Sequence, residues 1–304
     1  MLLKTIKTVV LIMLTACVLN AGQFNLQAEK DRMALIKYME TKFKDAPKNK
    51  NQFFPYSTIK ELKKFKKAPK HNDFGAGTYA FDKIGKMSRD DQMEMPPFDD
   101  NVEEGEKLFK KYFTKCFKAN TANQYPMFDE FKGKVVTLSG ALMTCAKKAG
   151  LDKLKNKKGK KVWNMKKGKM AHVQAYLMNM AAENDKKIDI SINSAKAALA
   201  YEDGKKGYYS QRGYLKLSCA TCHVQGAGQR VRLQLMSPLL GHVTHFPVYR
   251  VGKGKMFTLE GRLGGCNRDE GEKPHKPGST WSNNVLYFMS YMSNGMNIAL
   301  DVRR

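Results

Sequence analysis

Residues 219–223 read CATCH. Two cysteines two residues apart, with a histidine directly after them, have the spacing of c-type haem attachment. Cys219 and Cys222 would form thioethers to the two vinyl groups, and His223 would then be carried beneath the iron as its proximal ligand. The same CxxC could serve as a redox dithiol or as half of a zinc site. A zinc site calls for a second CxxC or an HxxxH, and a thioredoxin-like dithiol for a βαβ setting; the sequence offers neither. Further along, GRLGGCNRD at 261–269 holds a lone thiol, Cys266, with Arg262 four residues before it and Arg268 two after. Gly264 and Gly265 beside it would let backbone approach a flat ring closely. Nearby cations lower a thiol's pKa, favour the thiolate that binds iron and attacks sulfur, and hold a small anion by charge-assisted hydrogen bonds.

A haem c takes a second ligand on the far side of its iron, and that ligand sets its function. Met289, Met292 and Met296 lie where a simple electron carrier would place its methionine; His242 and His245, in GHVTHFP, are also available, as is Cys266. Residue types alone leave the choice open, and the methionines equally suit core packing. Of the six cysteines, Cys17 lies in the N-terminal apolar stretch, while Cys116 in FTKCFKAN and Cys145 in LMTCAKK share one region. Two cysteines in one exported domain suggest a disulfide, the alternative being two buried free thiols. Such a bond would contribute roughly 3–4 kcal/mol by constraining the unfolded chain. Cys266 is left unpaired.

The elements that must position these groups read as helices. NVEEGEKLFKKYFTKCF puts Leu108, Phe109, Tyr112 and Phe113 on one face, and YEDGKKGYYSQRGYLKLSCATCH repeats its plan of acidic start, glycine (Gly105, Gly204), aromatics and cysteine. MAHVQAYLMNMAAEND and WSNNVLYFMSYMSNGMNI have helical apolar spacing, the latter ending at Gly295, and KKIDISINSAKAALA reads as the connection between the two units. Upstream, KDRMALIKYMETKFKDA reads as a surface helix and RDDQMEMPPFDD as a loop. Strand-like alternation is scarce, so the expected fold is mostly α, with two similar helical domains.

At its start, MLLKTIKTVVLIMLTACVLNAGQF has a basic beginning, a short apolar run and small residues, the pattern of a secretory signal over residues 1–21. LTAC also resembles a lipobox, which would acylate Cys17. No other apolar stretch is long enough to span a bilayer. The 304 residues suffice for two domains, and 42% hydrophobic content fits a globular chain. A formal charge of +26 selects anionic partners, and export removes nucleic acid from among them, leaving docking or anion capture. The expected organisation is a basic N-terminal extension over 22–98, a haem-less cytochrome c-like domain with the disulfide over 99–192, and a domain binding one haem c over 193–304.

SCATCHVQGAGQRVRLQLMSPLLGHVTHFPVYR, followed by GRLGGCNRD and YFMSYMSNG with the terminal VRR, closely resembles the SoxA family, the catalytic cytochrome subunits of the sulfur-oxidising SoxAX complex. DFGAGTYAFDK, PPFDDNVEEGEKLF, GKVVTLSGALMTC and YEDGKKGYYSQRG extend the resemblance over roughly residues 73 to 304. It implies a periplasmic L-cysteine S-thiosulfotransferase that couples thiosulfate oxidatively to a cysteine of a SoxYZ-type carrier protein and passes two electrons to haem iron. It further implies Cys266 as distal iron ligand carried as a persulfide, Arg262 as the substrate-contacting arginine, and a small SoxX-type cytochrome as partner. Many members carry a second CxxCH in the first domain; this chain does not, so it resembles the single-haem branch in which a cystine stands there. EGEKPHKPG, after Cys266, departs from the usual family sequence and leaves His275 unassigned. The residues alone keep one rival in view, a plain electron-transfer cytochrome with methionine on the iron.

Overall fold

The computed structural model describes residues 23–44, 68–231 and 234–303; the signal sequence and Cys17 lie outside the described residues. Eight α-helices are found among them: α1 Leu26–Phe43, α2 Lys83–Met93, α3 Asp99–Tyr112, α4 Leu138–Lys148, α5 Lys169–Glu183, α6 Ala195–Tyr209, α7 Leu259–Asp269 and α8 Thr280–Tyr291. Strands are short: β1 Met127–Asp129 with β2 Lys134–Val136, β3 Arg230–Val231 with β4 Gln234–Leu235, and β5 Val248–Arg250 between β6 Lys255–Phe257 and β7 Val302–Arg303. The mostly helical expectation holds. No helix among the described residues is long and apolar enough to cross a membrane.

The repeat read from the two glycine-bearing stretches is a repeat of helix crossings. A Cβ on Gly105 of α3 would lie 2.0 Å from the His172 carbonyl oxygen of α5, and one on Gly204 of α6 would lie 2.0 Å from that of Asn284 in α8. Only glycine lets the two backbones meet this closely. One turn further along, Phe109 packs on Tyr176 with ring centroids 5.6 Å apart, and Tyr208 packs on Phe288 at 5.3 Å. Each pair thus joins a glycine crossing to an aromatic contact at the same spacing.

A second, tighter repeat runs at a constant offset of 121 residues, from YPMFDEFKGKVVTLSGALMTCAKKAG to FPVYRVGKGKMFTLEGRLGGCNRDEG. Met127, Phe128 and Asp129 pair with Val136, Val135 and Lys134; Val248, Tyr249 and Arg250 pair with Phe257, Met256 and Lys255 in the same register. Each hairpin turns at a left-handed glycine, Gly133 or Gly254. Each leads into a helix capped by threonine: Thr137 accepts from Gly140 N and Thr258 from Gly261 N. The offset brings Cys145 of α4 onto Cys266 of α7. Cys145 is bonded to Cys116 across 29 residues of sequence, whereas Cys266 is free.

Upstream, two details differ from the sequence expectation. RDDQM continues α2, whose N-cap Asp82 accepts from Gly85 N, so the loop begins only at Glu94. In α1, Leu35, Met39 and Phe43 fall on one face and are buried, with Phe43 stacked on Phe81 at 4.6 Å. Its Asp31 accepts from the Tyr201 hydroxyl at 3.0 Å and pairs with Lys205 at 2.6 Å, and Lys42 Nζ donates to the carbonyls of Val224 and Gln225. The N-terminal helix is therefore packed against the half that carries CATCH.

Candidate functional site

CATCH forms a tight turn because Ser218 and Thr221 cap each other. Ser218 N donates to Thr221 Oγ1 and Thr221 N to Ser218 Oγ, both at 3.1 Å. The helical turn Thr221–Gln225 then carries His223 inward, where its Nδ1 donates to the Ser237 carbonyl at 2.8 Å. That bond fixes the tautomer and leaves Nε2 as the lone-pair nitrogen. Burial pushes the imidazole down to about 4, so it is neutral at physiological pH. Cys219 and Cys222 remain unpaired, and burial raises both thiols. A reactive dithiol would need the opposite shift.

Cys266 stands one turn after Arg262 on α7. It is close enough to Cys219 and Cys222 for a thiolate at Cys266 to raise both. Its own thiol is pushed up, first by burial; Arg262 and Arg250 pull it down, while Asp269 and Glu270 oppose them. Arg262 thus acts on the thiol in the expected direction, and burial outweighs it. Arg268 is exposed and takes no part in that balance.

Sequence reading missed Arg250. It lies sixteen residues from Cys266, and only the β5–β6 hairpin, followed by α7, returns it to the thiol. Burial and repulsion from Arg262 lower its guanidinium, which makes no hydrogen bond or ion pair among the described residues. Arg262 has one long contact, 3.9 Å to exposed Asp269. Two under-compensated guanidiniums beside one thiol suit a small dianion. Arg212 was also missed. It stacks 4.5 Å over Trp281, pairs with Glu270 at 3.2 Å and Glu272 at 3.0 Å, and reaches Cys219 Sγ at 3.6 Å. It thereby ties the attachment turn to the end of α7. His275 joins that clamp, stacked 3.8 Å from Trp281 and 3.0 Å from Glu272.

The other ligand candidates are all buried. His242 packs directly against His223, with ring centroids 4.4 Å apart. His245 lies beyond His242, stacked on it at 6.4 Å, and meets Phe246 at a tilt with ring centroids 4.9 Å apart. Met289, Met292 and Met296 are buried in the core, Met296 with its methyl 3.6 Å from where Gly75 would carry a Cβ.

These residues fit a covalently attached haem c. Two unpaired thiols stand at the attachment spacing, one neutral imidazole has a free nitrogen, and a third thiol is near. The buried Tyr208 hydroxyl, which all three thiols influence, has no hydrogen-bond partner among the described residues. Among the described residues, no three His, Cys, Asp or Glu side chains converge as a metal cage.

No family model matches the chain. It is 37% identical over 235 residues to the L-cysteine S-thiosulfotransferase subunit SoxA of Chlorobaculum tepidum, covering 75% of this chain and 78% of that protein. The same-named subunit of Allochromatium vinosum is 34% identical, covering 75% and 80%. The chain belongs to the SoxA family. Among solved structures, SoxXA from P. pantotrophus matches with a TM-score of 0.56 and 24% identity, covering 69% of this chain and 79% of that one. At that identity the match bears on the fold, which this SoxA chain shares.

Proposed function

We propose that this chain is the catalytic c-type cytochrome subunit of a periplasmic L-cysteine S-thiosulfotransferase. It has two cytochrome c-like domains, the first over 99–192 held by its cystine and without haem, the second over 193–304 binding one haem c. Cys219 and Cys222 would attach the haem, and His223 and Cys266 would hold its iron. The observation that carries this reading is the meeting of an unpaired Cys266 with Arg262 and Arg250 beside the CATCH turn. The likeness to SoxXA from P. pantotrophus supports a small SoxX-type cytochrome as partner.

A haem bound there would supply an iron that favours sulfur as thiolate and accepts single electrons. Arg262 and Arg250 draw in thiosulfate, replacing its hydration with charge-assisted hydrogen bonds. Cys266, carried as a persulfide, bonds to the sulfane sulfur with loss of two electrons; the thiolate of a SoxYZ-type carrier protein then attacks that sulfur, takes it with its sulfonate and returns the persulfide. In sum, a carrier thiolate and a thiosulfate dianion form one S–S bond, give a singly charged S-thiosulfonate and release two electrons. No proton is consumed, and the electrons leave through the small cytochrome.

Mass analysis of the mature protein, made in a host that matures c-type haem, tests the reading together with a coupling assay. One haem on the Cys219–Cys222 peptide, an extra sulfur on the Cys266 peptide, and loss of coupling in haem-loaded Cys266→Ser are expected. Full coupling by Cys266→Ser would refute the role of that thiol.

A further inference from the structure

Glu260 has no part in the chemistry above, yet it stands on the same helix, two residues before Arg262 and six before Cys266. It is only 4% exposed, and a carboxyl is costly to bury without hydrogen bonds. Its Oε2 accepts from the Ser139 hydroxyl at 2.8 Å, and Ser139 Oγ accepts in turn from Gln174 Nε2 at 2.6 Å. Ser139 opens α4 and Gln174 lies within α5, so both partners come from the cystine-bearing half. The Thr137 and Thr258 hydroxyls also act on the carboxyl, which lines a cavity of about 50 Å³ with Thr137, Gln174, Tyr125 and Ser290. Burial holds it toward the neutral acid.

The contact has a symmetry that explains its place. Ser139 and Glu260 occupy the same position in the 121-residue repeat, so equivalent residues of two similar units meet face to face, as at a two-fold joint. The rest of the first turn of α7 leans on the same half. Thr258 Oγ1 donates to the Met165 carbonyl at 2.6 Å and Thr258 N to the Lys166 carbonyl at 3.0 Å. A Cβ on Gly261 would stand 2.3 Å from that Lys166 oxygen, so the turn sits directly on the chain beneath it.

We propose that Glu260 is a positioning residue: through Ser139 and Gln174 it locks the rotation and depth of α7 against the haem-less half, and so fixes where Arg262 and Cys266 stand. At 1.5 Å rise per residue the thiol lies roughly 9 Å along the helix from this lock, and a misplacement of about 1 Å in such geometry costs on the order of 10²-fold in rate. Its kinetic consequence rests on the proposed function; its spectroscopic consequence needs only Cys266 near the haem.

The test compares haem-loaded Glu260→Ala, Glu260→Gln and Ser139→Ala, read by ferric electron paramagnetic resonance, reduction potential and thiosulfate kinetics. Glu260→Ala and Ser139→Ala should each give altered or heterogeneous ferric spectra and a kcat at least tenfold lower, with KM changed less than kcat. Glu260→Gln keeps an acceptor for Ser139 and should restore both readouts. The double Ala variant should be no worse than either single one, because both break one chain of hydrogen bonds. If Glu260→Ala does not fold, Ser139→Ala carries the comparison. Wild-type spectra and kcat in Ser139→Ala, or a Gln variant as damaged as Ala, would overturn the proposal. Wild-type protein that attaches haem but never couples thiosulfate would overturn the proposed function instead, and the spectra of the variants would still decide the role of Glu260.

Discussion

At Cys266, burial and charge pull in opposite directions. Desolvation raises the thiol, and Arg262 and Arg250 recover only part of that shift. In the proposed function the arginines serve less to ionise the cysteine than to hold an anion next to it. Arg250 is the sharper case, since its guanidinium is itself lowered by burial and by Arg262 and lacks any ion pair among the described residues. A bound dianion would relieve both penalties. A hydrogen bond to a charged group contributes about 1.5–3 kcal/mol, so Arg250→Ala and Arg262→Ala should each lower kcat/KM for thiosulfate by roughly ten- to a hundredfold. Lysine at either position should recover only part, because it loses the forked geometry. Steady-state kinetics with thiosulfate on haem-loaded protein reads this directly. An Arg250→Ala variant with unchanged kcat/KM would remove that residue from the site.

Among the elements, the two glycine crossings are the most demanding. Alanine at Gly204 would put a methyl 2.0 Å from the Asn284 carbonyl oxygen, so α6 and α8 must part. Overpacking of this kind costs about 1–3 kcal/mol or more. Gly204→Ala should lower the denaturant midpoint and weaken haem retention, while Gly105→Ala should lower stability and leave the haem spectrum intact. Equal loss of haem in both variants would contradict the separate roles of the two crossings. These glycines were legible in the sequence because each sits in a helix-period pattern with aromatics at fixed spacing, and CATCH was legible because its chemistry demands that spacing. The hairpin-to-helix repeat was not, since the substitutions that separate its halves, such as Asp129 for Arg250 and Ser139 for Glu260, hide it from any search for one apolar period. Glu260 reads as an ordinary polar first-turn residue until the fold brings α4 against it. Likewise, α7 contains adjacent glycines that weaken local helix propensity, by roughly 1 kcal/mol each, and only its threonine cap and packing make it a helix.

For the whole molecule, a charge of +26 means that acidification adds repulsion to a chain already strongly cationic. Buried imidazoles sharpen that sensitivity. His245 is buried, its Nδ1 has no partner among the described residues, and burial lowers it well below the ordinary imidazole value, with Arg303, His242 and Arg250 adding repulsion. Its folded value lies below the unfolded one near 6.5, so as pH falls the unfolded chain takes up the proton first. The stability that neutral His245 contributes is thus fully present above about pH 6.5 and is lost on acidification below it, at about 1.4 kcal/mol per pH unit. Urea unfolding of the haem-loaded protein between pH 7.5 and 5.5 should show at least that slope below pH 6.5, and His245→Gln should remove it while leaving the slope from the remaining groups. A wild-type profile no steeper than that of the variant would mean that His245 binds its proton equally in the folded and unfolded states.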